Sequence, residues 1–410
     1  MIPVFDSFQF SLDLVVLLAV LLPALSLVRG GFGRRALISL SGAYLLFLIA
    51  PRLALFHVLF WLLVAAVQPL VSRTGETKAG PWVLGGALLV PLVPVVLWKV
   101  WPIDFVVEFN VLSNGIIRQL SSWLTAVDLT APIIGPVGLS FAAFRAADLL
   151  IKSNLGLVDR LSPGRVLAYG SFAPLLTVGP IATYDEVAKT LEQRVPIDPQ
   201  RGVDGTLHIV AGLVKLWVVA APLAWSTEIF AVADSNSTAR LWIGLIAYGW
   251  YFYANFAGYS DIAIGVGRLM GGDIKENFAR PYFQTTPSAF WNSWHISLTR
   301  FLRANVFTPI TMGRPSRQAA ATMLTMLLIG LWHGVNLAAV VFGLYHGVSL
   351  LIHRRVSAVR PAPADRPMVR RVGLSVAIFV WFTLSLPLIE LDLGEAADFY
   401  RALFAGGRFT

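Results

Sequence analysis

Apolar residues follow one another along this chain in long runs, without the alternation of a half-buried strand or the spaced stripe of a soluble amphipathic helix. A helix needs roughly 20 apolar residues to cross a bilayer core. Proline and glycine interrupt some runs, so tilted and re-entrant pieces are expected. The pattern predicts about ten to twelve membrane segments, in the runs Leu12–Val28, Ala36–Ala50, Leu53–Val71, Trp82–Trp101, Ile133–Ile151, Val166–Ile181, Leu207–Trp225, Leu241–Leu269, Ala319–Trp332, Leu337–Ile352 and Val372–Leu388.

Composition supports a membrane protein. Of the 410 residues, 56% are hydrophobic and 13% are charged, which is too apolar for a water-soluble domain. No polar stretch is long enough to fold alone. We therefore predict an all-α, polytopic protein in which residues 1–410 form a single membrane domain, with re-entrant or interfacial helices around a central tunnel.

The net charge of +9 has two explanations, nucleic-acid binding and membrane topology. The arginines concentrate between apolar runs, as the positive-inside rule requires, so we expect a bilayer and no nucleic acid as the surroundings. Arg34, Arg35 and the segment Arg354–Arg371 are predicted to be cytoplasmic, and the acidic start with Asp6 and Asp13 to lie outside. Cysteine is absent, which excludes thiolate metal sites, and no metal is expected.

Two histidines are the strongest candidates for chemistry. His295 lies in the segment Phe290–Phe301, and His333 lies between Gly330 and Gly334. An ionisable group at membrane depth is costly, and imidazole exchanges a proton near neutral pH. The alternative for each is a hydrogen-bonded residue of the packed interior.

The segment Gln284–Arg303 is amphipathic but too short and too charged to span a membrane. Pro287 suits the first turn of a helix, and Thr286 suits its N-cap. We predict a re-entrant or interfacial helix that points His295 towards the protein interior.

Several polar and aromatic residues are candidate supports of a tunnel around the two histidines. The run Leu241–Leu269 carries an unusual polar load, and a buried carboxylate there needs a partner. Packing between helices is the alternative explanation for each residue. The candidates are Trp294, Trp332, Asp261, Asn255, Tyr259 and Asn336.

Four segments in this order resemble the membrane-bound O-acyltransferase family, in the bacterial branch that acetylates exported polysaccharides or D-alanylates teichoic acids. They are Asn255–Met270, Asn277–Tyr282, Phe290–Leu298 and Gly330–Gly334, within a motif-bearing core of about residues 138–347. The family's second histidine maps onto His333, and the bacterial branch's first histidine maps onto His295.

The resemblance implies an enzyme of the bacterial inner membrane. It would move an acyl group from a cytoplasmic thioester, acetyl-CoA or an acyl carrier protein, through a tunnel to a hydroxyl of an extracytoplasmic polysaccharide. No bound cofactor is implied, and a secreted partner acyltransferase that completes the transfer is compatible with the branch.

The motifs give two different indications of which acyl group is transferred. Ser260–Arg268 and Trp294–Leu298 resemble the polysaccharide acetyltransferases, whereas Asn255–Tyr259 and Phe290–Asn292 resemble the D-alanine transferases. Acetyl transfer is favoured, with D-alanyl transfer from a carrier protein and a lipid or protein acceptor as alternatives. A proton-coupled transporter or polymer-export channel is the alternative from another class, because buried His and Asp groups also form proton relays.

The chemistry expected of the site is direct acyl transfer. A hydroxyl is a poor nucleophile at neutral pH, so a histidine must accept its proton during attack on the thioester. His333 is the expected base, and His295 is expected to orient a substrate or stabilise the oxyanion. Both imidazoles are then expected in one cavity, roughly 5–12 Å apart.

The arginine distribution yields a topology prediction. Reporters fused within residues 354–371 and near Arg34 should report the cytoplasm, and reporters near Asp6 the outside, because short basic loops remain on the cytoplasmic side. Protease accessibility in right-side-out vesicles checks the result. A cytoplasmic amino terminus would overturn the predicted orientation.

Overall fold

The computed structural model of this chain describes residues 20–28, 30–49, 51–100, 138–176, 178–192, 198–230, 237–359 and 367–405. These residues form helices and loops without a β-strand, and five helices are long and apolar enough to cross a membrane. The all-α, membrane-spanning class is therefore confirmed. The five are Ala54–Thr74, Gly80–Val100, Pro199–Phe230, Leu337–Val359 and Met368–Glu390. Asp6, Asp13, Arg29 and the first half of the run Leu12–Val28 lie outside the described residues.

The chain divides into two units, of which the first comprises residues 1–209 and 262–275. Its core is a cluster of aliphatic and aromatic side chains around Trp61 and Tyr169. Its helices are α1 (Gly31–Ile49), α2 (Pro51–Thr74), α3 (Gly80–Val100), α4 (Leu139–Asn154), α5 (Pro163–Gly170) and α6 (Tyr184–Glu192).

A buried arginine organises the interior of this first unit. Arg145 of α4 is fully buried, and its guanidinium carbon lies 4.4 Å from the ring centroid of Tyr169. It donates hydrogen bonds to the carbonyl oxygens of Tyr169, Gly170 and Leu175. A buried cation is tolerated only when such acceptors replace water. Arg145 therefore satisfies the backbone carbonyls that the end of α5 exposes.

One predicted membrane run is wrong. Val166–Ile181 is not a continuous helix, because α5 ends at Gly170 and only a short 3₁₀ turn, Ala173–Leu175, follows. Pro174 and Pro180 lack the N–H that a continuing helix requires.

The second unit comprises residues 210–261 and 276–410. Helix α7 (Pro199–Leu213) leads into it and continues as a π-helical segment, Val214–Ala220, and further turns to Phe230. Between the longer helices lie short turns at Pro281–Phe283, Arg303–Phe307, Thr308–Thr311 and Pro315–Arg317. The remaining helices are α8 (Thr238–Leu269), α9 (Pro287–Ser293), α10 (Ile296–Leu302), α11 (Gln318–His333), α12 (Leu337–Val359), α13 (Met368–Thr383), α14 (Pro387–Glu390) and α15 (Leu393–Ala405).

Glycine lets α11 and α12 approach closely as an antiparallel hairpin. A Cβ at Gly330 would lie 2.1 Å from the carbonyl oxygen of Ala339, and one at Gly343 would lie 2.7 Å from the Cα of Leu327. Neither position accommodates a side chain without separating the helices.

The packing of α5 yields a stability prediction. Gly170→Ala should destabilise the protein by about 1–3 kcal/mol, because overpacking a core shifts its neighbours, and the new methyl would lie 2.3 Å from the Trp61 ring. Gly164→Ala on the same helix is the matched control, since a Cβ there meets nothing within 4 Å. Thermal unfolding in detergent compares the two. Equal melting temperatures would contradict the close packing.

Candidate active site

The segment around His295 folds into two short helices joined by a sharp turn. As predicted, α9 begins at Pro287, and the hydroxyl oxygen of Thr286 accepts a hydrogen bond from Ala289 N at 3.1 Å. The single helix expected over Gln284–Arg303 is wrong, because α9 ends at Ser293 and α10 begins at Ile296. His295 lies between them in the left-handed conformation, with φ 43° and ψ 54°.

Asn277 holds this turn by side-chain and backbone hydrogen bonds. Its backbone oxygen accepts from Ile296 N at 2.9 Å. Its Oδ1 accepts from the backbone N and the hydroxyl of Ser297, at 3.2 Å and 2.9 Å. Its Nδ2 donates to the hydroxyl of Ser260 at 3.0 Å. A left-handed histidine is uncommon and costs free energy, and these bonds oppose that cost.

The same amide contacts the imidazole. Nδ1 of His295 lies 3.1 Å from Asn277 Oδ1. The backbone N–H of Ser297 must meet an acceptor, so the amide oxygen rather than the amide nitrogen faces this side. A proton on Nδ1 fits this contact, and in that tautomer of the neutral imidazole Nε2 is the proton-accepting nitrogen.

Both candidate histidines line one small cavity, which holds about 20 Å³ and so has room for about one water molecule. The ring centroid of Trp332 lies 5.6 Å from that of His295 and 4.6 Å from that of His333. These two contacts limit the separation of the imidazole centroids to at most about 10 Å, which is below the upper end of the range expected from the sequence. The aromatic wall comprises Phe252, Phe256, Trp291, Trp294, Trp332, Phe342 and Phe382.

His295 and His333 differ in burial. The side chain of His295 is 2% exposed, and the Phe256 ring packs edge-on against it at 4.7 Å. His333 is half-buried at the end of α11 and packs against Phe342 at 5.5 Å. His295 lies outside the five long apolar helices, and its pKa is lowered by burial and further by the neighbouring His333. It is therefore a neutral imidazole at physiological pH.

The other predicted supports lie in different places. Trp294 and Trp332 line the cavity, whereas α8 presents Phe252 and Phe256 to it in place of Asn255 and Tyr259. This cavity-facing side of α8 carries residues four apart, 252, 256 and 260, and the two polar candidates lie on a neighbouring face.

Asp261 and Asn336 have structural partners. Asp261 is buried and forms an ion pair with Lys215 of the π-helical segment, which supplies the partner that a buried carboxylate requires. Asn336 is exposed, and its side-chain oxygen accepts from Ala339 N at 2.8 Å, which caps the start of α12.

Sequence reasoning missed the residues that orient His295. Asn277 and Ser297 belong to motifs that carry the family resemblance, but their spacing gave no sign of a shared hydrogen-bond network. The left-handed turn that brings them together follows a break in a segment whose periodicity favours one helix.

A second cavity of about 270 Å³ adjoins the first, and Trp291 and Ile329 line both. Hydroxyl side chains face it from α10 and α11, and Thr322 and Thr325 donate their protons to backbone carbonyls at 2.8 Å and 2.7 Å. Their lone pairs remain as acceptors for a ligand. Arg303, which bonds to Asn292 Oδ1 at 2.8 Å, adds a cation to the wall.

The family model described as MBOAT, membrane-bound O-acyltransferase family, matches residues 97–390. This chain belongs to that family. The match includes both histidines, Asn277 and the two cavities, and it extends beyond the core of about residues 138–347 that the motifs indicated.

Curated relatives carry three kinds of name. A probable alginate O-acetylase, AlgI, of Pseudomonas syringae is 32% identical over 67% of this chain and 53% of the relative. A teichoic acid D-alanyltransferase of Streptococcus thermophilus is 25% identical over 58% of this chain and 64% of its own length. A peptidoglycan O-acetyltransferase of Helicobacter pylori is 31% identical over 46% of this chain and 36% of its own length. The chain thus spans about half the length of the alginate O-acetylases that it matches.

Proposed function

We propose that this protein is a membrane-embedded O-acyltransferase that transfers an acetyl group from a thioester to a hydroxyl of a cell-envelope or exported polysaccharide. The observation that supports this most is the convergence of His295 and His333 on one aromatic cavity. The fixed proton on Nδ1 of His295 supports it further. A small aromatic cavity of this kind excludes bulk water, which strengthens hydrogen bonds and protects the thioester from hydrolysis.

The reaction divides between the two imidazoles. The acceptor oxygen attacks the thioester carbonyl carbon, and Nε2 of His295 takes the hydroxyl proton. A nitrogen-bound proton of His333 stabilises the oxyanion. The carbon–sulfur bond then breaks, and the proton held by His295 passes to the departing thiolate. These roles are the reverse of those expected from the sequence, and the hydrogen bonds of Asn277, which orient the His295 ring with Nδ1 towards the amide oxygen, support this division.

The second cavity suits the donor. Acetyl-CoA and acyl carrier proteins both present the thioester on a pantetheine arm, whose amide N–H groups need acceptors. The hydroxyls of Thr322 and Thr325 are such acceptors. Helix α11 begins at Gln318, after Arg314 and Arg317, and the residues with which it lines the cavity run from Thr322 to Ile329, about one turn before His333. The arginine distribution assigns that end to the cytoplasm, so the donor enters from the cytoplasm and the acceptor from outside.

The relatives guide the choice of acyl group and acceptor. Acetylation is preferred to D-alanylation, because the alginate O-acetylase of P. syringae is 32% identical and the D-alanyltransferase of S. thermophilus is 25% identical. D-alanyl transfer from a carrier protein is the second candidate. We place the protein in the bacterial inner membrane with its amino terminus outside, and a secreted partner acyltransferase is compatible with this arrangement.

The histidine pair yields the first activity prediction. His295→Ala should lower acylation about 10²–10⁴-fold, because a general base contributes that much. His333→Ala should lower it about 10²–10³-fold, because it removes an oxyanion donor. Mass spectrometry of the envelope polymer from deleted and complemented cells measures the ester and identifies it as acetyl or D-alanyl.

His353→Ala is the matched control for this experiment. His353 lies near the end of α12, where its Nδ1 is 3.4 Å from the Ser357 hydroxyl, and its variant should acylate like the wild type. Full acylation by either the His295 or the His333 variant at normal protein levels would refute the proposed site. Unaltered polymer in the deletion strain would refute the proposed function.

The donor cavity yields a second prediction. Thr325→Trp should raise the KM for the thioester donor at least about tenfold, because the indole fills space that the pantetheine arm needs. Leu324→Trp is the matched control, since Leu324 on the same helix is 43% exposed and does not line the cavity. Steady-state kinetics with acetyl-CoA in nanodiscs compares them. An unchanged KM in the Thr325 variant would place the donor elsewhere.

A further inference from the structure

We propose that Asn277 is a positioning residue for catalysis, which fixes the neutral tautomer of His295 so that Nε2 accepts a proton in the cavity. This inference rests on the proposed function, since it concerns how that site works. The inference extends the proposed function by assigning a positioning role to a residue that touches neither substrate.

The hydrogen-bond partners of the Asn277 amide fix its orientation. Asn277 is fully buried, and its two ends have different partners. Nδ2 donates to the Ser260 hydroxyl, and Oδ1 accepts from the backbone N–H of Ser297. A flipped amide would direct its NH₂ group at that backbone N–H, leaving two donors face to face in a buried site. Such an arrangement is costly, because a buried donor is left without an acceptor. The orientation is therefore fixed by the backbone.

The neighbours of His295 Nδ1 favour a proton on that nitrogen. An unprotonated Nδ1 would direct its lone pair at the lone pairs of Asn277 Oδ1, 3.1 Å away. The Ser297 hydroxyl does not offer an alternative, because its proton is donated to the same Oδ1 at 2.9 Å, and its oxygen lies 3.4 Å from Nδ1. Both neighbours therefore act as acceptors towards Nδ1, and the imidazole keeps its proton there.

The backbone conformation of His295 sets the direction of its imidazole ring. The left-handed backbone of His295 turns the side chain into the cavity, and the same Asn277 that contacts the ring also accepts Ile296 N through its backbone oxygen. One residue thus fixes both the turn and the tautomer. Outer residues of this kind orient a reactive imidazole and tune its basicity.

Within the part of the chain that the structure describes, His333 of α11 is a titratable neighbour of His295, and it also lines the cavity. The side chains that α8 presents, Phe256 and Ser260, do not titrate, nor do Asn277 and Ser297. A change at Asn277 therefore acts on His295 without removing a charged neighbour.

The test reads the tautomer directly in the intact protein. ¹⁵N-histidine-labelled protein in lipid gives ring-nitrogen spectra, and the His295 signals are identified by their loss in His295→Gln. The wild type should show a protonated Nδ1 and an unprotonated Nε2 from about pH 6 to pH 8, since neutral imidazole holds one proton. Asn277→Ala should mix the tautomers. Asn277→Asp should retain the Nδ1 proton and move the titration of His295 to higher pH, because a carboxylate stabilises the imidazolium.

Kinetics with acetyl-CoA and purified envelope polymer separates positioning from folding. Asn277→Ala should lower kcat about 10–100-fold with little change in the donor KM. Asn277→Asp should recover activity as pH rises, because its base titrates at higher pH. Ser293→Ala is the matched control: its buried hydroxyl donates to the backbone carbonyls of Ala289 and Phe290 within α9, at 2.9 Å each, so its loss should keep the tautomer and most of the rate.

Three results would overturn the inference. They are a wild-type His295 with its proton on Nε2, an Asn277→Ala variant with unchanged kcat, and an Asn277→Asp variant whose pH profile does not move. If the tautomer is as expected but the envelope polymer of the deletion strain is unaltered, the proposed function fails and the structural assignment of Asn277 as the residue fixing the tautomer stands.

Discussion

The hydrogen bonds of one buried amide determine the geometry of the candidate site. Asn277 has the backbone of Ile296 and Ser297 on one side and the hydroxyl of Ser260 on the other. Buried polar groups must find partners inside the protein, since water cannot reach them. The sharp turn at His295 brings these partners together, and the histidine adopts the left-handed conformation there.

The same requirement explains other polar residues of the described chain. Arg145 bonds to backbone carbonyls of the first unit, and Lys215 pairs with Asp261 in the second unit. Breaking such a buried pair is costly, because the remaining charge loses its partner. Asn336 instead caps a helix at the protein surface. These polar groups therefore stabilise the fold, and polarity within an apolar chain does not by itself mark a catalytic residue.

Features that depend on interactions between nearby residues can be predicted from the sequence, whereas features that depend on residues far apart in the chain cannot. The all-α membrane class follows from long apolar runs, and the cap at Thr286 and the start at Pro287 follow from backbone chemistry within three residues. The break at His295 was not predictable in this way, because it depends on Asn277, 18 residues earlier in the chain.

The face of α8 was also beyond sequence reasoning. The sequence favours the polar residues Asn255 and Tyr259 as supports of the tunnel, whereas the phenylalanines Phe252 and Phe256 line the cavity. A catalytic cavity that excludes water needs an aromatic wall as much as polar groups. When a helix has apolar residues on all sides, hydrophobic periodicity does not show which of its faces meets the site.

The most direct test of the account is the structure of the intact protein in lipid, determined by cryo-electron microscopy, with an acetyl-CoA analogue whose thioester sulfur is replaced by a methylene group. The account predicts the analogue's arm beside Thr322 and Thr325. It also predicts the acetyl carbonyl carbon between the two imidazoles, with His333 at hydrogen-bond distance from its oxygen and Nε2 of His295 facing the carbon from the acceptor side. An analogue bound elsewhere, or one whose carbonyl is screened from both histidines, would contradict the account.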